Sequence, residues 1–191
     1  DNTAVGYEAL SANTTGAENT AVGRSAMDAC TTGSYNVGMG INALGALNTG
    51  NYNTGVGTGV MASATSGNHN TGIGYTTLDA NTTGENNVAI GNNALGASTT
   101  GTTNTAVGKD TLASNTTGGY NVGIGSGNTG VIGASLQSNT TGLYNVGVGV
   151  GALSANTTSN YNTAVGHNTL YYNTGTQNTA LGGLALDANT T

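Results

Sequence analysis

The chain has 191 residues, of which 34 are Gly and none Pro, Trp or Phe; only 5% are charged, and the formal net charge is −6. Its two basic residues, Arg24 and Lys109, cannot supply the basic footprint of a nucleic-acid binder, and no run of ~18 apolar residues offers a membrane-spanning helix. The composition also excludes a globular core of large side chains, yet Val, Ile, Leu and Met recur at fixed positions, which disorder does not require.

The recurring positions belong to a 17-residue repeat. Asn2 opens the first copy, and Asn19, Asn36, Asn53, Asn70, Asn87 and Asn104 open the next six. A fixed period in this range marks a stacked-coil array, each repeat burying a face that it cannot bury alone. We number the repeat positions as slots 1 to 17, with Asn2 in slot 1.

Slot 2 is Thr or Val, and slot 4 reads Val5, Val22, Met39, Val56, Ile73, Ile90, Val107. Alternation along a strand puts these two slots on one face, and β-branched residues suit a pleated sheet. They are expected to point inward. Slot 5 is Gly, from Gly6 to Gly108, and suits a tight bend. Slot 9 reads Leu10, Met27, Leu44, Met61, Leu78, Leu95, Leu112, the apolar counterpart on a second strand. Asn-Thr-Thr-Gly at slots 12 to 15 makes the second reversal. Each repeat therefore reads as strand, bend, strand, turn. Helix is excluded by the Gly density and by the lack of a 3.6-residue stripe.

Two irregularities follow downstream. Asn121-Val-Gly-Ile-Gly-Ser-Gly127 reads as an extra half-coil, after which Asn128 restarts the frame, Ile132 stands at slot 5 and Leu136 recovers slot 9. The copy at 162–177 is one residue short, near Tyr171 to Gly175. The chain 1–191 is then one repeat array of about eleven coils, roughly 50 Å long at ~4.8 Å per stacked strand. Both ends cut through a repeat, so the array is expected to be an excerpt of a longer chain.

Slot 3 carries only Ala or Gly in these copies, from Ala4 to Ala106. With slot 5 it forms a small-residue ladder, and Gly inside a strand marks close approach of another backbone. That backbone is either the other wall of the same coil or a second chain. A second and third chain are favoured, because one 17-residue coil leaves too little buried area per residue to offset chain entropy. The expectation is a homotrimer, side by side or intertwined, with these ladders near its axis. Slot 1 is always Asn, which predicts a stacked amide ladder along the array.

Few residues carry chemistry. Asp28, Asp79 and Asp187 share slot 10 but sit in distant coils, so no general-acid and base pair forms. His69 and His167 have no second His or Cys at ligand spacing, so no metal site is expected. Gly-x-Gly strings such as Gly38-Met39-Gly40 are strand elements rather than phosphate loops, since no helix follows them. No catalytic or cofactor-binding residue is assigned, and an enzyme is not expected. Cys30 lacks an internal disulfide partner and reads as a small buried residue on a strand. Asn13, Asn81, Asn115, Asn139, Asn156 and Asn189 match the Asn-x-Thr acceptor pattern, which the turn already explains.

Tyrosine is the exception. Slot 17 holds Tyr35, Tyr52, Tyr120, Tyr144 and Tyr161, which read first as a structural ladder and second as a platform for sugar rings. Tyr120, Tyr144 and Tyr161, with Tyr171 and Tyr172 beside the shortened turn, are the candidate ligand-contact residues. A Thr array on a flat solenoid also raises ice binding. Adjacent Thr pairs point to opposite sides of the chain, however, and Leu47-Asn48-Thr49-Gly50 and Ala64-Thr65-Ser66-Gly67 break the file.

The Asn-Thr-Ala-Val-Gly-x-x-Ala-Leu pattern closing in Asn-Thr-Thr-Gly resembles the head repeats of trimeric autotransporter adhesins. It resembles still more the related repeats of phage tail fibres. The resemblance covers essentially the whole chain. It implies a left-handed parallel β-roll of three chains that works in attachment, with Val88 and Ile90 filling the roll and Ala89 and Gly91 facing neighbouring chains. It implies a virion fibre or cell-surface location, with self-assembly and a glycan or protein receptor as partners, and no cofactor. The 17-residue period exceeds that of the usual adhesin head repeat and favours the tail-fibre reading over a bacterial adhesin head.

Overall fold

The computed structural model describes residues 1–127 and 133–190. Eleven three-residue strands run through it: β1 (Thr3–Val5), β2 (Thr20–Val22), β3 (Val37–Met39), β4 (Thr54–Val56), β5 (Thr71–Ile73), β6 (Val88–Ile90), β7 (Thr105–Val107), β8 (Val122–Ile124), β9 (Val146–Val148), β10 (Thr163–Val165) and β11 (Thr179–Leu181). They form one parallel sheet in chain order. Register is slot on slot throughout, as in Thr3↔Thr20 and Val5↔Val22, or Val88↔Thr105 and Ile90↔Val107. The chain is an all-β parallel solenoid of about ten turns, with no helix among the described residues.

Among the described residues only one strand forms per coil. The expected second strand is absent, and slots 6 to 11 are turns. The slot 9 residues have left-handed backbones, with φ between 49° and 55° from Leu10 to Leu170. A branched side chain costs roughly 1–2 kcal/mol in that region. The coil keeps it because the wall is still bonded coil to coil: the Leu78 N–H donates to Ala94 O at 3.1 Å, and the Thr82 N–H donates to Thr99 O at 2.9 Å. Its side chains then fill the interior. Met27, Leu44, Met61, Leu78, Leu95 and Leu112 are fully buried.

The faces of the first strand are the reverse of expectation. Slot 3 points inward: Ala21, Ala89, Ala106 and Ala164 have no exposed surface. Slots 2 and 4 point outward, and β6 reads exposed, buried, exposed. The cause is the depth of the coil. A Cβ on Gly38 would lie 2.8 Å from Met27 Cγ, and one on Gly72 would lie 2.7 Å from Val60 Cγ1. The slot 9 spine and its neighbours leave room for Ala or Gly only. The small-residue ladder therefore lies against the facing wall of the chain's own solenoid, chiefly side chains of the preceding coil. Slot 5 is Gly for a second reason. Gly91 has φ +129°, and a Cβ there would meet Gly108 C and O in the next coil at 2.8 Å.

The half-coil placed at 121–127 is instead an ordinary coil opening. β8 pairs in register with β7 and β9. Gly127 takes slot 7, its N–H donating to Lys109 O at 3.1 Å, and Ser135 takes slot 8, its N–H donating to Gly125 O at 3.1 Å. The longer spacing is read from Asn145, whose N–H donates to Asn121 Oδ1 across 24 residues. The extra residues thus lie at 128–134; the frame restart at Asn128 and the slot 5 role of Ile132 fall outside the described residues. The short coil loses slot 14, since Asn173 Nδ2 donates to a glycine carbonyl only two residues on, Gly175 O, at 2.8 Å.

Slot 1 forms a continuous buried ladder. Asn36 Nδ2 donates to Asn19 Oδ1 at 3.2 Å and to Gly50 O at 2.9 Å, and the Asn36 N–H donates to the same Asn19 oxygen at 3.0 Å. The pattern repeats to Asn162. A second buried file lies at slot 12, where Asn139, Asn156 and Asn173 are linked by side-chain amides. Cys30, Leu47 and Ala64 replace Asn in that file. Cys30 is buried as expected, but lies outside any strand.

The chain exposes 7678 Å². An average monomer of 18.5 kDa exposes about 8,200 Å². A single chain thus exposes no more surface than an average monomer of its mass, and its slot 9 side chains are buried without a second chain.

Candidate functional site

Three outward features follow from this packing. The first is the sheet face. Met39 (41%), Ile73 (40%), Ile90 (38%) and Ile124 (40%) remain exposed on adjacent or nearby strands, with Thr or Val at slot 2 beside them. In-register stacking turns these residues into two continuous rows. Scattered apolar residues on a surface need no explanation, but contiguous rows mark an interaction surface.

The second feature is the slot 17 file. Its residues have φ near +60°, as in Tyr35, Tyr52, His69, Tyr120, Tyr144 and Tyr161, so each side chain leaves the coil in the same direction. Tyr120 and Tyr144 stack at 4.8 Å and 10°, and Tyr144 and Tyr161 at 5.0 Å and 5°. The structure thus brings these three candidate residues together. It also reveals a second stack: Tyr35 on Tyr52 at 4.9 Å and 2°, then Tyr52 on His69 at 4.9 Å and 3°. His69 had no role in the sequence reading, although the 17-residue period already put it in slot 17.

Stacking limits what these rings can bind. Parallel offset rings share their faces with one another, as aromatic pairs prefer. Tyr144 and Tyr52 have a neighbour on each side, so they present mainly ring edges and phenol oxygens. Free faces remain at the ends of each stack. A platform of five equivalent faces is therefore not what the coil builds.

Tyr171 and Tyr172 are not part of this file. They occupy slots 10 and 11 of the tenth coil and meet edge to face at 4.6 Å. Tyr172 is exposed and Tyr171 half-buried. The deleted residue of that coil comes later, at slot 14, so the pair does not owe its position to it.

The third feature is the set of turns at slots 6, 7, 10 and 11. Lys109 Nζ lies 3.7 Å from Asp110 Oδ2. Burial pushes the Asp79 carboxyl above its ordinary value. Among the described residues no three of His, Cys, Asp and Glu gather at metal-binding distance. The Asn-x-Thr asparagines at 81, 115, 139 and 156 are buried, so the folded coil does not present them for modification.

Comparison with protein-family models, with curated proteins and with solved structures finds no match.

Proposed function

We propose that this chain is a stiff segment of an attachment fibre, of the phage tail-fibre type, in which three copies lie side by side. The observation that carries this reading is the outward apolar row of slot 4 on a coil that otherwise closes its own core. Rows repeating at one strand spacing are self-complementary along their length, so a second copy is the occupant best matched to them. The packed face in this reading is slots 2 and 4, through Val88 and Ile90, and not the Ala and Gly ladder. The role is mechanical: in-register coils and buried amide ladders give a rod with few charges, which spaces and displays binding surfaces. A bacterial adhesin head would use the same geometry.

The test is the mass in solution. Multi-angle light scattering on the intact chain is expected to give three times the mass of one chain. The double variant Ile73→Lys, Ile90→Lys is expected to be monomeric with an unchanged β spectrum, because both residues already face solvent in the single coil. A monomeric wild type removes the reading.

A further inference from the structure

The aromatic file of slot 17 is broken once between its two stacks. The break falls at Asn86 and Thr103, which occupy the coils between His69 and Tyr120. Their backbones match those of the rings, with φ 59° at Asn86 and 57° at Thr103 against 57° at His69 and 59° at Tyr120. The file is thus geometrically continuous and only the ring bulk is missing. Three coil steps at ~4.8 Å put the His69 and Tyr120 rings roughly 14 Å apart. The gap has the length of the two rings that the file omits.

Both ends of this gap are aromatic faces. Tyr52 covers one face of His69, and the other is turned along the file toward Asn86. Tyr144 covers one face of Tyr120, and the other is turned toward Thr103. The floor is polar. Asn86 and Thr103 are exposed, and their side chains make no hydrogen bond among the described residues. Glu85 and Thr102 lie one slot back and are half-buried. Glu85 Oε1 accepts from Asn68 Nδ2 at 2.8 Å, which holds the carboxylate in place and leaves Oε2 for another partner.

We propose that this notch is a glycan subsite, in which a short neutral oligosaccharide lays one pyranose against the His69 face and another against the Tyr120 face. The inference rests on the attachment reading above. A pyranose has about the footprint of a phenol ring, and its C–H bonds carry the partial positive charge that an aromatic face attracts. Its hydroxyls meet the Asn86 amide, the Thr103 hydroxyl and Glu85 Oε2, while the apolar faces and convergent polar groups together fix its orientation. Glu85 on the floor and the chain's net charge of −6 select against sialylated or uronic-acid glycans.

The chain has two histidines, His69 and His167, so the imidazole C–H signals of the intact protein serve as probe and internal control. Chitotriose and maltotriose are the neutral probes, and 3′-sialyllactose the anionic one. At least one neutral trisaccharide is expected to shift the His69 signals saturably and leave those of His167 unmoved. Asn86→Tyr with Thr103→Tyr refills the gap and is expected to abolish the shift. Should that variant misfold by circular dichroism, Tyr120→Ala is expected to weaken binding roughly tenfold, from loss of one stacking face. No His69 shift with either neutral sugar overturns the subsite, as does a shift that survives refilling or is stronger with the sialylated probe. No His69 shift in a chain that does trimerise would sink the subsite and leave the attachment reading standing. A His69 shift in a chain that never trimerises would do the opposite.

Discussion

The Asn70 carboxamide oxygen accepts twice from Asn87, from the backbone N–H at 3.0 Å and from Nδ2 at 3.1 Å. Asn87 passes the arrangement on. Its own oxygen accepts from the Asn104 N–H at 3.0 Å and Nδ2 at 3.2 Å, and its Nδ2 also holds Gly101 O at 2.8 Å. Asn87→Ala leaves the Asn104 N–H and the Gly101 carbonyl buried without partners. At about 1–3 kcal/mol for each orphaned group, the cost is expected to be about 3 kcal/mol. Because such arrays unfold locally, hydrogen exchange at the Asn104 amide is the measurement, with faster exchange expected there and little change several coils away. Asn86→Ala, one residue earlier and exposed, is expected to change exchange very little.

Two glycines separate backbone need from mere presence. Gly91→Ala puts a methyl 2.8 Å from the Gly108 carbonyl at φ +129°, and the backbone on both coils must move. Gly59→Ala meets only Thr76 Cγ2 at 3.6 Å, at φ +65°. By denaturant unfolding, the first is expected to cost more than about 2 kcal/mol of stability and the second about 1 kcal/mol.

The sidedness of the strand has its own test in β6. Ala89→Leu drives bulk into an interior with no room and is expected to cost about 1–3 kcal/mol or more. Val88→Thr and Ile90→Thr face outward and are expected to leave the stability of the single coil within about 0.5 kcal/mol. Thermal unfolding of a monomeric background, such as one carrying Ile73→Lys, keeps the fold separate from assembly. The opposite order of effects would restore the expectation that slots 2 and 4 fill the roll.

Two acids, the half-buried Asp79 and the buried Cys30, make stability depend on pH in the same sense. Burial raises the Asp79 carboxyl and the Cys30 thiol above their ordinary values. Over the window between the ordinary and the raised value, the folded chain binds the proton more firmly than the unfolded one, so stability falls as pH rises through it. For Asp79 the window opens near the ordinary carboxylate value, and the penalty persists at neutral pH. Asp79→Asn is expected to raise the melting temperature at neutral pH and not below about pH 3.5. For Cys30 the window opens at about pH 8.5. Cys30→Ala is expected to flatten the alkaline fall in stability, and the native thiol is expected to resist alkylation until the chain unfolds.

The stacked architecture was legible because every coil repeats the same register marks: Asn in slot 1, Gly in slot 5, Leu or Met in slot 9. The amide ladder was legible for the same reason, since identical residues at one spacing must meet when coils stack. The Tyr120, Tyr144 and Tyr161 stack follows likewise, and His69 was missed because it was weighed only as a metal ligand, and set aside, instead of as a ring in slot 17. The position of the long insertion was misread because Val122-Gly-Ile-Gly125 satisfies slots 2 to 5 as well as any copy does, so its strand was taken for the extra piece.

The period by itself determined that this chain stacks parallel coils, slot upon slot, because a fixed spacing allows no other way to pair identical residues along an axis. It also determined which residues share a strand face, since side chains alternate. It could not determine which face is inside. That was decided by the width of the coil, where the left-handed turn at slot 9 brings Leu and Met so close to the strand that only Ala or Gly fits opposite. The same packing turned Val88 and Ile90 outward, and with them the two rows of the sheet face.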